Sequence, residues 1–356
     1  MKIAISNLIK FTIFISIVIV LLFKVGKIFI PENISRGFQG ITYTINGFYK
    51  MPKNSIDVVF IGDSNMSRAI SPMELWNEYG IAAYNYSVTS ARTWTEYHFI
   101  KEILRTQKPK IVVIDPVTIF YGCATRESLA HVAFDYMPLS LTKLEMVNDP
   151  AFELSFEDKL GMILPIYRYH DRWQKITAAD FSKMNEEYYS ITRGYVMQST
   201  VKPNKNGYSY MDKESENLTF KCAGDEYLLK IKELCEKNNV KLLVLGLEEA
   251  VNWGKTQSEY LESFTKENSI EYYDLNQDRY LNWDEDTKDK GMHVNILGAM
   301  KTMKKVGEYF EKHYDLPDHR GEKEYDFWND DYKEYEKYKN IFITEANKKV
   351  NKMKNN

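Results

Sequence analysis

Apolar residues in this chain fall into short unbroken runs separated by stretches of helical periodicity, and that alternation is the first guide to its fold. Val58–Val59–Phe60–Ile61 is a run of the kind that fills a strand buried on both faces of a sheet. Met66 to Tyr79 then carries helical spacing, with Ser71-Pro72 as a helix start within it. Ile81 to Tyr86 reads as a second strand ending in the polar run Ser87 to Thr95, and a helix follows from Trp94 to Thr106. Lys110 to Asp115, with Ile111-Val112-Val113-Ile114 at its centre, is a third buried strand. The rhythm lapses from Phe120 to about Lys221. It resumes with a helix from about Asp225 to Asn238, a strand at Lys241 to Gly246, a helix from about Thr256 to Asn268, a short strand near Ile270 to Leu275 and a closing helix from about Ile296 to Lys312. Strands alternating with helices at this spacing predict parallel βαβ units and an α/β sheet.

Two pieces lie outside that pattern. Phe11 to Phe23 is uninterrupted and apolar. With Ile5, Leu8 and Ile9 it supplies about 19 residues, enough to cross roughly 30 Å of hydrocarbon as a helix. Lys10 lies near one end, where its ammonium reaches the headgroups. Lys2 and Lys10 precede the run and Lys24 and Lys27 follow it, so charge does not orient it. The run also suits a signal peptide, but Lys24-Val25-Gly26-Lys27-Ile28-Phe29 contains no small-x-small cleavage site. The expectation is an uncleaved single-pass anchor in the cell membrane, with the bulk of the chain extracytoplasmic. The second piece is the aromatic-rich insertion with Tyr167, Tyr169, Trp173, Tyr188, Tyr189 and Tyr195. It reads as a layer packed on the main domain, with the wall of a sugar- or acyl-binding cleft as the alternative. The expected layout is an anchor at 1–30, a connector at 31–54, the α/β domain at 55–312 with the insertion at about 120–221, and a charged tail at 313–356 that wraps the domain or hangs free.

Composition changes this picture little. In 356 residues the net formal charge is −3, so no basic face invites nucleic acid. Cys123, Cys222 and Cys235 are too few and scattered for a disulfide framework or zinc knuckle, although Cys222 and Cys235 can pair outside the cell. No glycine-rich phosphate loop follows any strand, which argues against nucleotide binding.

Candidate chemistry begins where the first strand ends, at Gly62-Asp63-Ser64-Asn65. A serine there stands at the carboxyl edge of the sheet beside backbone amides able to steady negative charge on a bound carbonyl. Taken alone, Gly-Asp-Ser also describes an ordinary turn or helix N-cap. Of six histidines (His98, His131, His170, His293, His313 and His319), His293 differs because it stands in Asp286-Thr-Lys-Asp289-Lys-Gly291-Met-His293-Val-Asn295, directly before the closing helix. An acid four residues ahead, in a turn loosened by Gly291, can reach the ring nitrogen facing away from substrate and favour the imidazolium formed when a serine gives up its proton. Asp289 is the first candidate and Asp286 the second. No second histidine or cysteine lies at metal-ligand spacing.

Gly62-Asp63-Ser64 early and Asp289…His293 late resemble the SGNH/GDSL hydrolase superfamily, over roughly residues 55–312. Ser71-Pro-Met-Glu-Leu-Trp76, Tyr169-His-Asp-Arg-Trp173 and Asp289-Lys-Gly-Met-His-Val-Asn295 are similar to a subgroup of membrane-anchored bacterial SGNH-like proteins, which includes the D-alanyl transfer proteins of teichoic-acid modification. The resemblance implies a flavodoxin-like three-layer α/β/α domain, with Ser64 as nucleophile, His293 as base and Asp289 as its orienter. Oxyanion donors would come from the Ser64 and Ser87 amides, Ser87 standing where the superfamily has glycine. The asparagine of the third block is absent, since Asp115-Pro116-Val117-Thr118 follows the third strand. His170 and Arg172 are candidates to replace it, and Asn65, Asp286 and Asn295 are further cleft candidates. No cofactor or metal is implied. The implied partners are an acyl ester or cell-envelope glycan, the membrane and a membrane-bound acyltransferase. The rival expectation is a non-catalytic partner of such an acyltransferase, built on a degenerate cleft.

Overall fold

The computed structural model describes residues 2–31, 39–121, 131, 133–182, 188–212 and 224–355. Cys123 and Cys222 lie outside them. Five parallel strands form one sheet: β1 (Val58–Ile61), β2 (Ala83–Asn85), β3 (Ile111–Ile114), β4 (Lys241–Gly246) and β5 (Glu271–Asp274), in the order β2-β1-β3-β4-β5. β1 is held on both sides, Val58 opposite Ala83 of β2 and opposite Ile111 of β3. Every residue of β1, β2 and β3 is buried, as their unbroken apolar runs require, whereas edge strand β5 is only half covered. This is the flavodoxin-like strand order, in which the chain reverses its direction of travel between β1 and β3 and leaves a crevice at their carboxyl ends.

The helices are α1 (Lys2–Phe29), α2 (Ile41–Lys50), α3 (Ser64–Ala69), α4 (Pro72–Tyr79), α5 (Thr93–Ile103), α6 (Leu141–Val147), α7 (Phe156–Ile163), α8 (Pro165–Tyr169), α9 (Ala178–Ser182), α10 (Gly224–Lys237), α11 (Lys255–Glu267), α12 (Ile296–His313) and α13 (Asp326–Lys354). α3 and α4 pack with α12, and α5 packs with α10, which covers both faces of the sheet and completes three layers. The helical stretch expected over Met66–Tyr79 is two helices, because Ile70 and Ser71 turn extended ahead of Pro72. In α1, Ile5–Phe29 is long and apolar enough to cross a membrane.

Two stretches flanking the expected 55–312 domain pack on it, the tail by wrapping it. Within the expected connector 31–54, α2 presents Ile41, Ile45 and Phe48 at helical spacing, and Phe48 packs edge-on against Tyr84 and Tyr86 at 5.4 and 5.1 Å. In the expected tail, α13 brings Trp328 into complete burial, stacked on Trp76 at 5.2 Å between centroids. The guanidinium of Arg193 lies 4.4 Å from the Trp328 ring centroid and pairs with Asp331, while Tyr335 donates to Glu74 Oε1 at 2.9 Å. The Arg193 turn is itself docked on the sheet, since Asn85 N–H donates to Arg193 O at 2.9 Å. Gly194 follows at φ +89, where a Cβ would lie 1.9 Å from Asn85 O, so only glycine allows that approach. The aromatic insertion therefore divides. Tyr189 and Tyr195 join the main domain, whereas Trp173 stays exposed.

Trp328→Ala is expected to cost about 3–5 kcal/mol of stability. Urea unfolding of the purified chain measures it, and an unchanged midpoint would mean that α13 is not part of the cooperative unit.

Candidate functional site

The turn out of β1 is set by close packing. A Cβ on Gly62 would lie 2.8 Å from Met66 Cβ and 2.9 Å from Asp115 Cβ, so the glycine lets the strand end turn directly under the loop that follows β3. Asp63 then caps α3, its Oδ1 accepting from Asn65 N–H at 2.7 Å. Ser64 is the first residue of α3, so its own N–H has no intrahelical acceptor.

From the far end of the chain, residues 286–295 make a tight loop before α12. Thr287 and Val294 form an antiparallel bridge, Gly291 N–H donates to Thr287 Oγ at 2.7 Å, and Lys290 and Gly291 both take positive φ. Asp289 holds His293 twice. Its Oδ1 accepts the His293 backbone N–H at 2.8 Å, and its Oδ2 lies 2.6 Å from the ring Nδ1. His293 Nε2 in turn lies 2.8 Å from Ser64 Oγ. With the ring neutral, Asp289 fixes the proton on Nδ1 and leaves Nε2 to accept the serine proton.

The environment tunes both groups. Burial pushes the His293 imidazole below its ordinary value, and the Arg68 and Lys288 cations add to that against the upward pull of Asp289. Burial alone would raise Asp289, but its hydrogen bond and charge contact with His293, helped by Lys288 at 3.0 Å, hold it well below the usual carboxylate range. A neutral base paired with an ionised orienter is the arrangement proton abstraction from serine requires.

The remaining sequence candidates are placed as follows. Ser87 is buried, its Oγ donating to Asn85 Oδ1 at 2.5 Å, and among the described residues its N–H has no hydrogen-bond acceptor. Asn65 donates from Nδ2 to Glu249 Oε2 at 2.6 Å. Asp286 does not touch the imidazole; its Oδ2 accepts from Asn282 N–H at 2.7 Å and pairs with Lys301 at 2.5 Å. Asn295 caps α12, accepting from Leu297 and Gly298 N–H at 2.9 and 3.3 Å, so its side chain is spent on the helix. His170 and Arg172 are not brought to this crevice. Arg172 donates to Phe29 O at the end of α1 and to Asp180 at 3.0 Å, and the His170 ring lies against Tyr167 O at 2.8 Å in an exposed turn. The aromatic segment carrying them belongs with α1, which periodicity alone does not show.

Two features were missed in the sequence. Arg68 is buried and donates from Nη1 to Ser64 O at 2.8 Å; its position four residues after Ser64 on one helix was the available signal. Asp63, Glu96, Asp115 and Glu249 form a mutually repelling group of buried carboxyls around the turn. Burial raises all four, and Asp63 further raises Asp115 and Glu249. They come from four separate segments, so no local motif betrays them. Among the described residues no cluster of three or more His, Cys, Asp or Glu is arranged to hold a metal ion.

No protein-family profile and no curated protein matches this sequence. Two of the solved structures that resemble it in fold illustrate the likeness. One is an inferred acylhydrolase from Bacteroides fragilis, 11% identical, with a TM-score of 0.37 over 74% of this chain and 92% of that one. The other is a GDSL-like lipase from Bacteroides thetaiotaomicron, 10% identical, with a TM-score of 0.38 over 77% of this chain and 98% of that one. Likeness of that size carries no argument about chemistry, which rests on the side chains themselves.

An NMR pH titration of the His293 ring is expected to give a midpoint below 6.5, and Arg68→Met is expected to move it upward by removing a neighbouring cation. A midpoint above 6.5, or a downward move in the variant, would mean that the electrostatics of the site have been misassigned.

Proposed function

We propose that this chain is a membrane-tethered, SGNH-like serine enzyme that moves acyl groups between an ester or thioester donor and water or a hydroxyl of a cell-envelope glycan or teichoic acid. The observation that carries the reading is the line of hydrogen bonds from Ser64 Oγ through the His293 ring to Asp289, at 2.8 and 2.6 Å, beside the β1/β3 crevice.

Ser64 Oγ attacks the acyl carbonyl while its proton passes to His293 Nε2, and Asp289 steadies the resulting imidazolium without taking the proton. Negative charge on the carbonyl oxygen is met by the Ser64 and Ser87 backbone N–H groups. Collapse of the tetrahedral intermediate expels the donor's alkoxide or thiolate, which takes the proton from His293. A water or sugar hydroxyl then repeats the sequence in reverse on the acyl-serine, and free Ser64 is restored. Hydrolysis and transfer thus share one intermediate and differ only in which acceptor reaches it.

A second reading is supported by Asp115, which stands in the loop where the resemblance calls for an asparagine donor. Its Oδ1 caps Val117 N–H at 3.1 Å, and the side chain offers no amide to an oxyanion. Loss of one such donor costs about 10²–10³ in turnover in other enzymes. On this reading the chain holds an acyl acceptor or a membrane acyltransferase without performing the chemistry.

A fluorophosphonate probe separates the two. The enzyme reading expects labelling of the full chain and none of Ser64→Ala; absence of labelling in both would leave the binding reading. With a small acetyl ester, His293→Ala is expected to lose at least about 10³-fold in kcat. Asp289→Asn is expected to lose about 10⁴-fold through the wrong tautomer, whereas Asp286→Asn should act on stability and leave turnover nearly intact. Reversal of that order would assign the orienting role to Asp286.

A further inference from the structure

The short helical segments between residues 165 and 182 build a collar around the end of α1. From Ile5 to Val25 that helix is largely bare, but Ile28 and Ile30 are each only 5% exposed. A Cβ on Gly26 would lie 3.5 Å from Ile166 N and 3.7 Å from Pro165 Cβ, so α8 packs directly on the emerging helix. Arg172 ties the collar from another side, bridging Phe29 O at the last residue of α1 to Asp180 in α9.

The outer surface of this collar is aromatic. Trp173 is 66% exposed, Phe181 56% and Tyr167 44%, with exposed Lys175 and half-buried Arg168 among them. Lys24 and Lys27 stand exposed on the adjoining turns of α1, and Asp171 is the one exposed acid between residues 165 and 182. The other tryptophans, Trp76, Trp94, Trp253, Trp283 and Trp328, are all buried.

We infer that the collar is a second membrane contact, laying Trp173, Phe181 and Tyr167 into the headgroup layer of the bilayer that α1 crosses, with its basic side chains on the lipid phosphates. The inference rests on α1 being a membrane span and is independent of the ester chemistry. The depth follows from helix geometry. About 20 residues of α1 use up the hydrocarbon core, and the last turn, Gly26–Phe29, then spans about 6 Å of headgroup layer. Groups packed on that turn lie at the same level. Indole and phenol rings are enriched there because one edge is apolar and the other wet, and cationic side chains beside them meet anionic lipid. Continuity with α1 favours lipid over a protein as the occupant.

The burial of five of the six tryptophans makes a direct test available. The full chain is reconstituted into vesicles of phosphatidylethanolamine and phosphatidylglycerol, with and without dibrominated acyl chains, and compared with Trp173→Phe. Co-flotation with vesicles reads the anchor, and quenching of the emission that the variant lacks reads the collar. The expected result is co-flotation of both proteins and loss of most of the Trp173 emission on brominated lipid. Co-flotation without quenching would overturn the collar contact and leave the anchor standing. Failure to float would overturn the anchor, and the collar contact with it.

Discussion

The hydrogen-bonded line from Asp289 through His293 to Ser64 joins two parts of the chain more than two hundred residues apart, and most of the fold can be understood as the means of holding it. One end is rigid because β1 is clamped by a neighbour on each side and Gly62 lets the chain turn at once into α3. The other end is rigid because Asp289 grips both the backbone and the ring of His293, while Asn295 caps the helix that follows. α12 then packs on α3, so the two ends share one interface. A displacement of either would lengthen a contact whose usefulness depends on hydrogen-bond reach.

Charge around this line is arranged at some cost. Asp63, Glu96, Asp115 and Glu249 are withdrawn from water and repel one another, so each binds its proton more firmly in the folded chain than in the unfolded one. Their folded-state pKa values are raised, and the linked stability is present at low pH and declines as pH rises above the ordinary carboxylate range. Asp289 has the opposite sense, its contribution being lost only as pH falls through its depressed value. The turn below Ser64 is therefore a place where folding is strained electrostatically while the catalytic-looking carboxylate beside it stays ionised.

A second organising device lies away from the crevice. Arg193, fully buried, is enclosed by Trp328, Phe327 and Tyr189 and paired with Asp331, which fastens α13 to the insertion. Burying a guanidinium this completely is tolerable only with an anion and hydrogen-bond acceptors supplied, here Asp331, Tyr189 and Ser190 O. The same turn docks on Asn85 at the end of β2 through the glycine that follows it, so the C-terminal helix reaches the sheet through one arginine loop.

Residue order alone determined the strands and the helices of the α/β unit, because buried parallel strands are written as unbroken apolar runs and their crossover helices as 3.6-residue periodicity. It also singled out Ser64, His293 and Asp289, since the turn and the four-residue spacing that bring acid to imidazole are local. Beyond the meeting of Ser64 with His293, the relations between distant segments lay outside its reach. Asp286 lies in the same loop as Asp289, yet its carboxylate is turned to Lys301 and Asn282; Asn295 is spent on a helix cap. His170 and Arg172 sit in a promising aromatic stretch that folds onto α1 instead of the crevice. Helices α2 and α13 fall in stretches that read as connector and tail from their mixed and charged composition, and only packing against Tyr84, Tyr86 and Trp76 shows what their apolar residues are for. Local geometry is encoded within a few residues of itself; which surfaces meet depends on the whole sheet closing first.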